Sequence, residues 1–226
     1  MKKSGVLPAA KICGLQSVEV LKSILHLPID YIGFVFAKSR RQVTPAQAGE
    51  CIRFMREQQS AALAAGVFVN PALEDIGNVL AEARLDVIQL HGQETPEFCA
   101  EVREHFNILV YKAFPVKEST ERDGAVVARL DAYAGAVDGM LIDTYDPVQG
   151  GGTGETFAWE AIPAYTRWAE EHHLPLLVAG GLHAGNVGEL LQRYDVYGVD
   201  VSSGVETDGV KDPAKISAFI ERVKQL

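Results

Sequence analysis

The chain has 226 residues, 47% hydrophobic and 23% charged, with 21 Lys and Arg against 30 Asp and Glu and a formal net charge of -9. This composition, without a low-complexity tract, excludes a disordered or fibrous chain, and the acidic balance without a Lys/Arg run excludes nucleic acid and anionic membrane as natural partners. No segment reaches the roughly 20 apolar residues of a membrane span, and Lys11 interrupts the apolar stretch after the basic start MKK before a signal-peptide core can form, so a cytoplasmic location is expected.

Short apolar runs alternate with longer segments of helical period along the chain. A strand at KIC (11–13) precedes a helix at 17–27, YIGFVF (31–36) precedes one at 44–59, and AAGVFV (64–69) precedes one at 71–83. VIQLH (87–91) leads to a helix at 95–106, ILVYKAF (108–114) to a weakly marked one at 118–134, and GMLIDT (139–144) to one at 156–173. PLLVAGG (175–181) with a helix at 184–194 and YGVDVSS (197–203) with one at 212–226 complete the series. Thr44, Thr95 and Asp212 each stand before a proline, the signature of an N-cap with Pro at the first helical position. IGFVF, ILVYKAF and PLLVAGG are apolar without alternation, as parallel strands covered on both faces must be. Residues 1–226 are therefore expected to form one α/β domain, a (β/α)8 barrel, with a doubly wound open sheet as the alternative.

In such a barrel the strand C-termini and the loops after them share one mouth. Cys13 falls there, beside Gly14, where a thiolate could act as base or nucleophile, although a lone cysteine is more often a small core residue. Cys51 and Cys99 fit that second role on helices; three cysteines without metal-like spacing point to neither a disulfide framework nor a metal site. Asp143 ends an apolar strand, where burial suits a carboxyl to general-acid work, and Asp146 reads as a turn cap. Glycine-rich loops follow three strands: GGGTG (150–154, including Gly152 and Gly154), Gly180-Gly181, and SSG with Ser203 and Gly204. Those after strands seven and eight occupy the usual phosphate site of a barrel. The run Lys38, Arg40, Arg41 could receive a carboxylate, and His91 could touch substrate or be a satisfied core histidine. The expected ligand is thus a small phosphorylated molecule bearing a carboxylate.

KICG (11–14), DYIGFVFAKSRRQV (30–43), GVFVN (66–70), IQLHG (88–92), LIDT (141–144), GGTGETFAW (151–159), AGGL (179–182), NV (186–187) and VDVSSGVE (199–206), in this order, resemble the phosphoribosylanthranilate isomerase family. The resemblance implies an Amadori rearrangement of N-(5-phosphoribosyl)anthranilate to 1-(o-carboxyphenylamino)-1-deoxyribulose 5-phosphate, with no cofactor and no metal. It places the general base on Cys13, the general acid on Asp143 and the anthranilate-carboxylate arginine on Arg41. It implies phosphate contacts from backbone groups near Gly181 and Ser203-Gly204, with the GGTG loop (Gly152, Gly154) contributing; His91, Gly180 and Asp200 are further candidates for substrate binding. This chain lacks a proline that many relatives carry in the loop before Arg41, and has Ala158 where an aspartate is common.

Two other readings compete. A barrel working through lysine and glutamate, like indole-glycerol-phosphate synthase, would need lysines at strand ends, and Lys112 is expected to be the only lysine inside a core strand. A binding module without catalysis would keep the glycine loops but would need neither Cys13 nor Asp143. No pattern fixes an oligomeric state.

Overall fold

The computed structural model describes residues 7–116, 123–143 and 159–225. Eight parallel strands close on themselves in chain order: β1 (Ala9–Cys13), β2 (Tyr31–Val35), β3 (Leu63–Phe68), β4 (Val87–Leu90), β5 (Leu109–Pro115), β6 (Gly139–Asp143), β7 (Leu176–Ala179) and β8 (Gly198–Val201). β8 returns to β1 with Lys11 opposite Asp200, so the open-sheet alternative is excluded. Helices follow the strands as α1 (Val18–Ile24), α2 (Pro45–Glu57), α3 (Leu73–Glu82), α4 (Pro96–Phe106), α5 (Asp123–Asp131), α6 (Ile162–Glu171), α7 (Val187–Arg193) and α8 (Pro213–Lys224). Among the described residues no helix is long and apolar enough to cross a membrane.

The strand period of two sorts each strand's side chains between barrel interior and helix layer. Ile12, Ile32, Phe34, Ile88, Val110, Ile142, Val178 and Val199 pack outward with the apolar faces of the helices. Ala9, Tyr31, Ala65, Val87, Tyr111, Leu141 and Leu177 fill the interior. At its N-terminal end the hydroxyl of Tyr31 lies 3.1 Å from that of Tyr111 and 3.2 Å from that of the exposed Tyr197, so the buried phenols of Tyr31 and Tyr111 satisfy one another. The opposite end of the interior is polar, and the chemistry collects there.

The helix starts expected from Thr44, Thr95 and Asp212 are present. Thr44 accepts from the Gln47 amide, Thr95 from the Phe98 amide, and Asp212 from the amides of Ala214 and Lys215. Each such cap satisfies amides that the helix itself cannot, a contribution of about 1 kcal/mol. Boundaries move where glycine or a side chain intervenes. β7 stops at Ala179 because Gly180 and Gly181 take φ of 93° and 62°. The helix expected from residue 184 starts at Val187 because Asn186 Oδ1 accepts from the His183 amide and closes a turn first. The expected helices at 118–134 and 156–173 begin outside the described residues; the described part of the second opens with a 3-10 turn at Trp159–Ala161.

Two features depart from expectation. Lys112 is not the only core-strand lysine: β1 begins at Ala9 rather than Lys11, so Lys11 lies mid-strand and only 1% of it is exposed. A two-stranded ribbon, β9 (Glu206–Thr207) and β10 (Val210–Lys211), also stands between β8 and α8, turning through Asp208 and Gly209 at φ of 51° and 81°.

Candidate active site

Cys13 ends β1 and points inward with 7% of its surface exposed. Lys11 lies two residues earlier on the same interior face, and its Nζ is 3.0 Å from Asp200 Oδ1 on β8. Burial pushes the Cys13 thiol up, Lys11 draws it down, Asp200 raises it again and Lys211 lowers it, with a net upward shift. The neutral thiol is the resting form, and the cations around it decide how readily the thiolate forms. Cys51 and Cys99 are buried on α2 and α4 and pushed up to about 11 and about 12, mainly by burial, with Lys112 drawing Cys99 down and Glu94 raising it again. All three thiols are free.

Gly14 follows Cys13 at φ 84°, and a Cβ there would lie 2.6 Å from Arg41 Cδ. The glycine therefore lets the chain turn away from the strand and lets the Arg41 stem lie across the turn. Arg41 is anchored by Glu206: Nε to Oε1 is 2.6 Å and Nη2 to Oε2 is 2.9 Å, a two-point fork. Arg40 reaches Glu206 Oε2 at 3.1 Å but is 62% exposed, against 20% for Arg41. Lys211, on β10, places Nζ 2.6 Å from Glu206 Oε1 and 2.8 Å from the Ser202 carbonyl. Three cations thus surround one carboxylate, leaving local positive charge at the mouth of an acidic chain.

Burial alone would push Glu206 up, yet Arg41 and Lys211 overcome it and hold the carboxyl at about 2. A depressed folded-state value contributes stability above the ordinary value of 4.5 that is lost as pH falls toward about 2. Glu206→Gln is expected to cost on the order of 3 kcal/mol at neutral pH. In urea titrations the gap from wild type should shrink between about pH 5 and pH 2. A gap constant across that window would contradict the cluster.

On another side of the mouth Asp143 ends β6 and faces inward. His91 Nε2 lies 3.5 Å from Asp143 Oδ2, and His91 Nδ1 lies 2.8 Å from the amide nitrogen of Gln89. An imidazole whose Nδ1 accepts from that amide presents Nε2 to Asp143. His91, with its side chain 31% exposed, is a mouth residue and not a core histidine. Behind it the buried pair Lys112 and Glu94, 3.0 Å apart, fixes the loops after β3 and β4. Lys112 Nζ donates to the carbonyls of Gly92 and Leu90, and Glu94 accepts from the amides of Asn70 and Gly92. Lys112 thus does structural work on the outer face of β5.

The loops after β7 and β8 meet backbone to backbone. A Cβ on Gly204 would lie 1.8 Å from the Leu182 carbonyl oxygen, so only glycine lets the two loops touch. Asn186 braces the first loop by donating to the Gly181 carbonyl at 3.0 Å, and Ser202 ties the second to β1 by donating to the Cys13 carbonyl at 3.1 Å. Gly180, Gly181, Ser203 and Gly204 are thereby gathered at one rim of the mouth. Gly152, Gly154 and Asp146 lie outside the described residues. Asp200 is 7% exposed, one layer below the mouth and paired with Lys11. Lys11, Glu206, Lys211 and Asn186 were not singled out from sequence. The clearest missed signal was Asp208-Gly209, the strongest short hairpin marker, which brings Lys211 back against Glu206.

Residues 10–222 match the family model described as N-(5'-phosphoribosyl)anthranilate (PRA) isomerase. A protein of that name from Brevibacillus brevis is 50% identical over 214 residues, 95% of this chain and 92% of the relative. The crystal structure of phosphoribosyl anthranilate isomerase from Thermotoga maritima superposes with a TM-score of 0.81 at 34% identity, covering 97% of this chain and 100% of that one. Another structure of such an isomerase, in complex with reduced 1-(o-carboxyphenylamino)-1-deoxyribulose 5-phosphate, superposes with a TM-score of 0.77 at 32% identity over the same shares.

Proposed function

The chain belongs to the N-(5'-phosphoribosyl)anthranilate isomerase family and has the isomerase activity of tryptophan biosynthesis, and from that premise we propose that Cys13 and Asp143 are its general base and general acid. Residues 1–226 then act as one barrel domain on N-(5-phosphoribosyl)anthranilate. Asp143 protonates the furanose ring oxygen, and the bond from that oxygen to C1' breaks as the anilino nitrogen supplies its pair, giving the open Schiff base. The Cys13 thiolate removes the hydrogen on C2', whose bonding pair forms a C1'–C2' double bond while the imine pair returns to nitrogen. Loss of the hydroxyl proton at C2' and protonation of C1' give the ketone. C1' is reduced and C2' oxidised within one molecule, so no external electron carrier enters the balance.

The observation that carries this reading is the placement of an inward thiol and an inward carboxyl at the C-terminal ends of β1 and β6, strands that are not neighbours. The two can address different sides of one bound sugar. Its phosphate would rest on the joined loops at Gly180, Gly181, Ser203 and Gly204. Its anthranilate carboxylate would reach Arg41, whose fork on Glu206 fixes the guanidinium beside Cys13. His91 orients the acid.

The carboxylate assignment is tested by Arg41→Ala beside Arg40→Ala. Loss of a charged hydrogen bond should raise KM about 10- to 100-fold for the first variant. The second should stay within about threefold of wild type, because the exposed Arg40 pair is worth little. KM values in the reverse order would move the carboxylate site to Arg40.

A further inference from the structure

We propose that Lys11 is a positioning residue for the reaction: its ammonium, fixed by Asp200 beneath the Cys13 sulfur, is the counter-charge that lets the thiol lose and regain its proton inside the barrel. The inference rests on the reading of Cys13 as the base. Lys11 and Cys13 occupy alternate positions of β1, so both side chains enter the interior, one layer apart. Gly33, paired with Cys13 on β2, opens one space to both, since a Cβ there would stand 2.8 Å from Cys13 Sγ and 3.2 Å from Lys11 Nζ. On the other side β8 sets Asp200 opposite Lys11, with Oδ1 3.0 Å from Nζ. Both members of this pair are buried, Lys11 at 1% and Asp200 at 7% exposure.

A buried ion pair adds little stability over apolar residues of the same volume, so stability alone does not account for it. The sulfur does. With the thiol protonated, Lys11 and Asp200 balance; when the thiolate forms, the interior holds two negative groups against one ammonium. The charged groups that face the sulfur are Lys11 on β1, Asp200 on β8, Lys211 on β10 and Arg41 after β2. Lys11 sits deepest, where solvent screens least. Burial pushes its ammonium down, but Asp200 and Cys13 more than offset this and raise it, so Lys11 keeps its proton while Cys13 exchanges one. Asp200 acts with the opposite sign on the sulfur: it holds Lys11 in place and damps its field.

The opposed signs give the test. The rate of Cys13 alkylation by iodoacetamide, read by peptide mass spectrometry across pH, reports the thiolate midpoint without reference to turnover. Asp200→Asn leaves Lys11 charged and is expected to lower the midpoint. Lys11→Met combined with Asp200→Asn removes both charges without orphaning either, and is expected to raise the midpoint by about one to three pH units relative to Asp200→Asn. The acid limb of the kcat/KM profile should shift in the same direction, a change that a packing role would not produce. Equal midpoints in the two variants, or a higher midpoint in Asp200→Asn than in wild type, overturn the role of Lys11. Should Cys13→Ala retain full turnover while the midpoints still separate, the base assignment fails and the electrostatic coupling of Lys11 to the sulfur stands.

Discussion

Asp143→Asn is expected to lower kcat about 10²- to 10⁴-fold, the usual contribution of a positioned proton donor, while affinity for the reduced product analogue stays within a fewfold of wild type. Asparagine has almost the same shape, remains inside the mouth at the end of β6, and can still face His91 Nε2. Its amide is far too weak an acid to give the ring oxygen a proton, so the furanose opens only as fast as water permits. The comparison needs kcat from the decay of substrate fluorescence and Kd from titration with reduced 1-(o-carboxyphenylamino)-1-deoxyribulose 5-phosphate. A variant with near-wild-type kcat would remove Asp143 from the acid role. A variant that loses affinity and rate together would make it a binding residue instead.

Cys13→Ala is expected to lower kcat by a similar factor, about 10²- to 10⁴-fold. The substitution takes one sulfur from a small space shared with Gly33 and Lys11, so the barrel persists and product still binds. Alanine has nothing to accept the C2' hydrogen. Cys51→Ala and Cys99→Ala are internal comparisons: both thiols lie in the helix layer, on α2 and α4 and away from the mouth, and kcat should not change. Equal losses of rate in all three variants would point to general destabilisation and not to a missing base.

The alternation of uninterrupted apolar runs with capped helices made the barrel legible, because a parallel strand covered on both faces has no polar side to display. Cys13, Asp143 and the loops at Gly181 and Gly204 were legible for a related reason: a barrel sends every strand end to one mouth, so their position along the chain already implies proximity. Pairings across the barrel were not legible. Nothing in VDV announces that Asp200 stands opposite Lys11, since the closing register between β8 and β1 is set by the whole ring. Lys11 itself was passed over as a break in an apolar stretch, although its two-residue offset from Cys13 put it on the same face. Glu206 and Lys211 were hidden until the Asp208-Gly209 turn folded one back against the other. His91 could not be assigned from IQLHG, because a residue at the end of an apolar run falls inside the core or at its rim according to where the strand stops; β4 stops at Leu90, and the placement of His91 opposite Asp143 depends on how far β4 and β6 each extend.

The most direct test of an acid and a base acting on one sugar is a single assay. N-(5-phosphoribosyl)anthranilate is generated in place from anthranilate and phosphoribosyl pyrophosphate with a transferase, and its fluorescence is followed with wild type, Cys13→Ala and Asp143→Asn side by side. The account predicts rapid decay with wild type and decay close to the uncatalysed rate with either variant, each still folded by circular dichroism and still binding the product analogue. Decay in either variant within a fewfold of wild type would contradict it.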